Sequence, residues 1–310
     1  MKKEEINHYK FESISDAHRF FSLPTPKHPL ISLINGQITM PVPSQSTPYS
    51  HVLGFYKISY KPKTSGKLRY GQNYYDFDEG GLLFASPNQV IGNNDDSGNN
   101  PIDCSRYTLL IHPDFLWNHP LAKKIRQYGF FSYAANETLH LSEQEVATII
   151  SIFQMVEHEL NSRIDDFSQE IVIAQIELLL NFANRFYKRQ FITRKAVNSD
   201  ILQQLEDVLN DYFNSETSLQ QGLPTVQFLA EHVNLSPSYL SDMLRSQTGQ
   251  NAQQYIHIKL IEKAKEILST TSLSVSEVAY TLGFEHPQSF SKLFKLKTNL
   301  SPLEFRKSFN

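Results

Sequence analysis

The spacing of apolar residues changes near residue 140 of the chain. Before it, apolar and polar positions alternate in runs such as 56–60 and 107–111. Alternation with a period of two predicts β-strands, and frequent Gly, Pro and Asn residues predict turns between them. The polar run 92–101 predicts an exposed loop between strands. We therefore expect residues 1–140 to form a small antiparallel barrel or sandwich.

From about Leu141 the apolar residues recur every three to four positions, which predicts helices. Ser142 followed by Glu145 has the capping-box pattern of a helix start. The second helix carries an apolar stripe that predicts either core or a subunit seam: Phe167, Ile171, Ala174 and Leu178. We assign residues 141–190 to a helical pair that mediates dimerisation, and residues 191–199, at the end of a basic segment, to a linker.

The pattern of residues 200–310 predicts an almost entirely helical region, and it contains one motif twice. Each copy has a short helix with a small residue on its buried side, Ala230 or Ala279, then a tight turn and a second helix that opens near a proline. Asn234 and Gly283 occupy corresponding turn positions, and both residue types tolerate a positive φ. The apolar stripe of residues 252–269 predicts a connecting helix of roughly 25 Å. The sequence thus predicts two helix-turn-helix motifs joined by a linker helix.

The second helix of each motif has an apolar face that we expect to be buried and a polar face that fits the major groove of B-DNA. Gln and Lys can bond base edges, and Ser or Arg can reach bases or phosphates. The linker helix would hold the two second helices about 34 Å apart, one turn of DNA. The predicted DNA-binding residues are Ser238, Ser241, Asp242 and Arg245 in the first motif and Gln288, Ser291, Lys292 and Lys295 in the second.

Charge divides this region into two halves. Residues 198–244 contain seven acidic residues and no Lys or Arg, whereas residues 245–310 contain nine basic residues and five acidic ones. We expect the second motif to supply most of the phosphate affinity, because neutralising phosphates releases counterions. Asp242 would repel phosphates, although it can accept a hydrogen bond from cytosine N4. The acidic stretch is either a solvated helix face or a surface that contacts the N-terminal domain or RNA polymerase.

These motifs resemble the DNA-binding domain of the AraC/XylS family. The resemblance rests on the run 230–241, the helix 261–268 and the signature segments 278–284, 289–295 and 300–306. It implies a transcriptional regulator, usually an activator, that binds double-stranded DNA and acts with RNA polymerase. It also implies that the β-rich region is a cupin-like, effector-binding barrel. Aromatic residues there line an effector pocket or belong to the core: Tyr56, Tyr60, Tyr70, Tyr74, Tyr75, Phe77 and Phe84.

Composition and charge exclude several classes of protein and of binding site. The 310 residues, 40% apolar and 20% charged, predict a folded chain of two domains. A net charge of −3 excludes a uniformly basic nucleic-acid binder, so any DNA-binding surface is local. The single Cys104 excludes an internal disulfide framework and a thiolate zinc cage. The histidines of the β-rich region are isolated in sequence and favour surface or hydrogen-bonding roles: His51, His112, His119 and His140.

We therefore expect an α+β multidomain fold: an N-terminal cupin-like β-barrel with a helical appendage, and a C-terminal all-α domain with two helix-turn-helix motifs. The sequence shows no nucleophile motif, phosphate-binding loop or metal-ligand pair, so we expect no enzyme activity, cofactor or metal. No signal segment or membrane-spanning run is visible, which favours a cytoplasmic protein. The helical pair favours a homodimer. Two alternatives stay open: an interaction module of this fold that has lost specific DNA binding, and a barrel enzyme.

Overall fold

The structure is a computed structural model of the chain. It describes residues 7–36, 38–39, 49–62, 67–70, 73–76, 81–93, 102–103, 105–134, 137–162, 167–193, 195–215 and 217–308. The chain divides into two compact units, Met1–Gln190 and Phe191–Asn310. The first unit contains the described strands and the second is helical.

The strands of the first unit are β1 (Asn7–Phe11), β2 (Ile31–Asn35), β3 (Ile38–Thr39), β4 (Tyr49–Leu53), β5 (Tyr56–Lys61), β6 (Lys67–Tyr70), β7 (Asn73–Asp76), β8 (Gly81–Ala85), β9 (Val90–Asn93), β10 (Ile102–Asp103) and β11 (Tyr107–Ile111). They pair in the orders β2-β11-β5-β8, β1-β4-β9, β3-β10 and β6-β7. Only β1 and β4 pair in parallel among these described strands. A mainly antiparallel sheet region is therefore present, but none of these sheets closes into a barrel within the described residues.

The helices of the first unit are α1 (Ile14–Phe20), α2 (Leu121–Lys124), α3 (Glu143–Asn161) and most of α4 (Ser168–Thr193). The predicted capping box starts α3, where the Ser142 side chain accepts from the Glu145 N–H and the Glu145 side chain accepts from the Ser142 N–H. The predicted linker, residues 191–199, is helical apart from residue 194, which lies outside the described residues. No Gly or Pro interrupts this segment, and Lys and Arg favour helix.

The sheet β2-β11-β5-β8 is buried on both faces. Successive side chains of its strands therefore point into two different buried regions, and neither set points into solvent. On one face Tyr107 stacks on Phe153 of α3, with ring centroids 5.2 Å apart. On the other face α1 and β4 enclose a core that includes Phe55 and Leu110. This double burial explains why β5, β8 and β11 are fully buried over their whole lengths.

The aromatic residues of the β-rich region divide between core and undescribed positions. Tyr56, Tyr60 and Phe84 are buried and belong to the core. Phe84 packs on Phe130, with centroids 4.5 Å apart. The side chains of Tyr70, Tyr74 and Tyr75, and residue Phe77, lie outside the described part of the structure, as do residues 94–101 of the predicted loop.

The apolar stripe predicted on α4 is not core. Phe167 is 65% exposed, and Ile171 and Leu178 are each 41% exposed. The buried face of α4 consists of other residues, among them Val172, Ile176, Leu179, Leu180 and Ala183. The core interpretation of the stripe is therefore wrong for these three side chains, because α4 packs through a different face, formed by these buried residues.

The helices of the second unit are α5 (Lys195–Asn214), α6 (Thr217–Gln221), α7 (Val226–His232), α8 (Pro237–Thr248), α9 (Ala252–Thr270), α10 (Val275–Thr281), α11 (Pro287–Thr298) and α12 (Pro302–Lys307). Helix α9 is the predicted linker helix, and it contacts α5, α7, α8, α10, α11 and α12. No described helix combines the length and the apolar character that crossing a bilayer requires.

We predict that Phe153→Ala lowers the free energy of unfolding of the first unit by about 3–5 kcal/mol, because it removes a fully buried ring and leaves a cavity. Pulse proteolysis in urea, with fragments identified by mass spectrometry, reports the two units separately. Met155→Ala on the same helix is the matched control, with an expected change of about 0.5 kcal/mol or less. Equal losses in both variants would contradict the stacking of α3 on the sheet.

Candidate nucleic-acid interface

The two predicted turns have the same backbone conformation. Asn234 has φ 54° and Gly283 has φ 90°, so both lie in the left-handed region, as their residue types predict. The Leu235 N–H donates to the Ala230 carbonyl at 2.9 Å, and the Phe284 N–H donates to the Ala279 carbonyl at 3.0 Å. These bonds close a Schellman-type end on α7 and α10. The duplicated pattern is therefore a duplicated backbone structure.

The motifs differ by one residue. Two residues lie between Asn234 and Pro237, whereas three lie between Gly283 and Pro287. Ser236 caps α8 by accepting from the Tyr239 N–H, but the His286 side chain makes no capping bond on α11. Both second helices end in a left-handed residue, Gly249 at φ 76° and Asn299 at φ 61°.

The apolar faces of α8 and α11 are buried largely as predicted. Tyr239, Leu240, Met243 and Leu244 of α8 are buried, and so are Phe290 and Phe294 of α11. Leu293, predicted to point inward, is half-buried. Burial of these residues leaves the polar face of each helix toward solvent, which is the orientation that a groove-binding helix needs.

Helix α11 presents the predicted cationic face. Gln288, Lys292 and Lys295 are exposed, and Ser291 is half-buried. Neither lysine forms an ion pair with another residue that the structure describes. Lys292 follows Gln288 by four positions and Lys295 follows Lys292 by three, which places the three side chains on one side of the helix. Two positive charges and an amide therefore face solvent together.

Helix α8 has a different electrostatic character. Arg245 is exposed and forms an ion pair with Asp242 at 2.7 Å, one helical turn earlier. Ser238 and Ser241 are half-buried, and the Ser241 Oγ accepts from the Ala252 N–H at 3.3 Å, at the start of α9. The pairing offsets the Asp242 charge that would repel phosphate, but it also occupies the single Arg of this helix.

Helix α5 is fastened to the linker helix α9 by a small polar network. The Lys259 Nζ lies 2.8 Å from the Glu206 Oε1, and the Tyr255 hydroxyl donates to the same carboxylate at 3.4 Å. Burial, with the Glu206 charge adding to it, raises the pKa of Tyr255 to about 12. Tyr255 is therefore a neutral donor at physiological pH. Other acids of the predicted acidic stretch, Asp200, Asp207 and Asp211, are exposed along α5.

Sequence reasoning missed a contact that supports the second motif. The Ser218 hydroxyl donates to the Thr281 carbonyl at 2.8 Å, at the end of α10. Gly222 packs against Gly283 so closely that a Cβ on Gly283 would overlap the Gly222 carbonyl, which also accepts from the Tyr212 hydroxyl at 2.9 Å. The polar run before Gly222 signals a turn, but only the tertiary structure shows what that turn touches.

Two of the histidines predicted not to be metal ligands accept backbone hydrogen bonds at the start of short helical turns. His112 caps a short 3₁₀ turn by accepting from the Asp114 N–H, and the His119 Nδ1 accepts from the Leu121 N–H at 3.1 Å. His51 is buried beside Phe21. Within the described residues, no three His, Cys, Asp or Glu side chains are grouped as a metal site would require.

Comparison with known proteins matches residues 229–308 to a helix-turn-helix domain family. The arabinose operon regulatory protein of Escherichia coli strain K12 is 41% identical over 78 residues, which are 25% of this chain and 27% of that protein. The transcriptional activator RhaS of Salmonella paratyphi B is 31% identical over 140 residues, 45% of each chain. The chain thus spans less than half the length of these curated relatives.

Among solved structures, the C-terminal domain of AraT, a response regulator from Geobacillus stearothermophilus, is 29% identical with a TM-score of 0.31. It covers 35% of this chain, and the match includes 84% of that domain. The resemblance predicted for the C-terminal region is confirmed by the helix-turn-helix match and the two curated relatives. The matched range begins inside α7 and ends after α12, so it contains the turns and second helices of both motifs.

We predict that Gly283→Ala destabilises the second unit more than Gly249→Ala does. Both glycines have a positive φ, which costs an Ala about 1–2 kcal/mol, but an added Cβ meets nothing within 4 Å at Gly249. At Gly283 the overlap with Gly222 adds about 1–3 kcal/mol. Thermal unfolding of each variant, followed by circular dichroism, measures the difference. Equal losses would show that the Gly222 contact is not constraining.

Proposed function

We propose that this chain, which carries a helix-turn-helix domain in residues 229–308, is a sequence-specific DNA-binding transcriptional regulator. The observation that carries the proposal is the exposed face of α11. Gln288 and Lys292 there are suited to base edges, and Lys295 to a phosphate or a base. The repeated turn geometry of the two motifs supports the same use for α8.

The two recognition helices have unequal roles in this proposal. Helix α11 supplies most of the phosphate affinity, since its lysines have no ion-pair partner among the described residues. Helix α8 contributes Ser238, Ser241, Asp242 and Arg245, with the Asp242–Arg245 pair as a charge-neutral reader. If the ion pair with Asp242 opens, Arg245 would reach guanine or a phosphate. Alternatively, Asp242 would accept a hydrogen bond from cytosine N4.

The first unit is, in this proposal, the regulatory part of the protein. Its antiparallel sheet region is assigned the cupin-like, effector-binding role that the family resemblance implies. The exposed apolar residues of α4 support homodimerisation, because a neighbouring copy would remove them from water. Effector binding would then shift how two DNA-binding domains are presented, and RNA polymerase contact would make the regulator an activator in the cytoplasm. The proposal assigns no catalytic activity.

The second candidate is an interaction module of the same fold that has lost specific DNA binding. The neutralised Arg245 and the exposed acids of α5 favour it. Selection of binding sites from a random DNA pool separates the two functions. Enrichment of a sequence with two half-sites about one helical turn apart would support the regulator. A pool that stays random after repeated rounds would favour the interaction module.

We predict that Lys292→Ala weakens binding to the selected DNA about tenfold if Lys292 bonds a base. If it neutralises a phosphate, the slope of log affinity against log salt falls by about one. A mobility-shift titration at several salt concentrations measures both quantities. Lys123→Ala, an exposed lysine of α2 in the first unit, is the control and is expected to bind like the wild type. Unchanged binding by Lys292→Ala would contradict the placement of α11 on DNA.

We predict that Asp242→Ala raises non-specific DNA affinity, because it removes a repulsive charge and frees the Arg245 guanidinium. The salt slope should steepen by about one for the new phosphate contact. The same titration on unrelated DNA measures this effect. A loss of affinity with retained folding would mean that Asp242 itself is a base-reading residue.

We predict that Leu178→Glu converts the proposed dimer to a monomer, because a charge within the apolar stripe of α4 cannot be buried without a partner. Light scattering during size-exclusion chromatography measures the mass. Leu303→Glu on α12, which is also exposed, is the matched control and should keep the dimer. A dimeric Leu178→Glu variant would place the subunit interface elsewhere.

A further inference from the structure

The last turn of α4 belongs to the second unit. The boundary between the units follows Gln190, whereas α4 continues to Thr193. Phe191, the first residue past the boundary, is 3% exposed, and its ring packs edge to face on Tyr239 of α8 with centroids 5.0 Å apart. The neighbouring Ile192 is 54% exposed. The end of a helix that lies mostly in the first unit therefore packs on the second helix of the first motif.

The Phe191 backbone adds a polar anchor to this contact. Its carbonyl is among the last four of α4, and such carbonyls have no partner within their own helix. Two side-chain amides donate to it instead, the Asn198 Nδ2 of α5 at 2.7 Å and the Gln247 Nε2 of α8 at 2.8 Å. Asn198 is 2% exposed, so its loss would leave buried polar groups without a partner. Phe191 thus holds α8 at two points, Tyr239 through its ring and Gln247 through its carbonyl.

The second motif has no equivalent of this support. Tyr239 and Gln247 lie eight positions apart, so they share one side of α8. Counted from the prolines that open α8 and α11, their counterparts in α11 are Ser289 and Lys297. Both counterparts are exposed. The duplicated motif therefore provides an internal comparison, because α8 is covered at two positions that α11 presents to solvent.

We propose that the last turn of α4 positions α8 for DNA reading, with Phe191 and Gln247 as positioning residues that do not touch DNA. Hydrogen bonds to base edges need defined distances and angles, so a helix that reads bases must be held in one orientation. The inference rests on the proposed function, since it concerns how DNA is read. It adds that the two half-sites depend on different supports. A change at the end of α4 alters reading by α8 and leaves reading by α11 intact.

Hydrogen exchange of the full-length protein without DNA tests the support itself. In Phe191→Ala, the amides of α8 should exchange at least about threefold faster than in the wild type, because lost packing raises the population of locally opened states. The amides of α11 should exchange at the wild-type rate. Ile192→Ala, the adjacent and exposed position, is the matched control and should change neither helix. Wild-type exchange in α8 of folded Phe191→Ala would overturn the proposal.

Mobility shifts on the DNA selected from the random pool test the consequence for sequence reading. Scrambling either half-site should weaken wild-type binding about tenfold or more. The half-site whose scrambling matters least in Gln288→Ala is assigned to α11. In Phe191→Ala, the cost of scrambling the other half-site should fall to about threefold or less, while the cost at the α11 half-site stays at its wild-type value. Equal reductions at both half-sites, or none at either, would overturn the proposal.

Gln247→Met is the second variant, and it replaces Phe191→Ala in both experiments if circular dichroism shows that Phe191→Ala does not fold. It removes the amide donor and keeps the length of the side chain, and the same results are expected. A wild type that binds DNA but ignores both half-sites would contradict the proposed function, whereas faster exchange in α8 would still support the contact. A variant that reads both half-sites like the wild type would contradict the positioning role alone.

Discussion

The second unit depends on the burial of one apolar stripe along α9. Eight residues of this helix are buried, and its neighbours include helices of both helix-turn-helix motifs. Burying several aliphatic side chains on one rigid helix contributes about 1.5–3 kcal/mol for each large residue. Because both motifs pack on the same helix, their second helices cannot move independently without exposing this stripe. The spacing of the two polar faces is therefore a consequence of hydrophobic packing.

The backbone conformation of the two turns fixes the direction of each second helix, and so the direction in which its polar face points. The left-handed residues Asn234 and Gly283 end α7 and α10 with matching hydrogen bonds, so each second helix leaves its turn in a similar direction. In the second motif the direction is constrained further, because Gly283 has no room for a side chain beside Gly222. The motif whose lysines have no ion-pair partner among the residues that the structure describes is thus also the one with the more tightly constrained turn.

Electrostatics distinguishes motifs that share a backbone. Asp242 and Lys292 occupy corresponding positions, five residues after the proline at the start of α8 and α11. In α8 the acid pairs with Arg245, whereas in α11 two lysines face solvent. The first unit shows the opposite arrangement, since its lysines at 57 and 61 lie inside a sheet that is covered on both faces. In both units, packing determines which face of an element is exposed, and this decides whether a charged side chain on that element meets solvent or the interior.

The sequence by itself determined the features that depend on local backbone preference and helical periodicity. It predicted the Ser142 capping box, the left-handed Asn234 and Gly283, and the buried faces of α8 and most of α11, because each follows from residues close in sequence. Only the tertiary structure decided which faces of the helices and strands are buried and which elements they pack against. It showed that the stripe of Phe167, Ile171 and Leu178 is exposed, that Lys57 is buried, and that Gly222 touches Gly283. Those outcomes depend on partners distant in sequence, and no local pattern specifies which partner a surface will pack against.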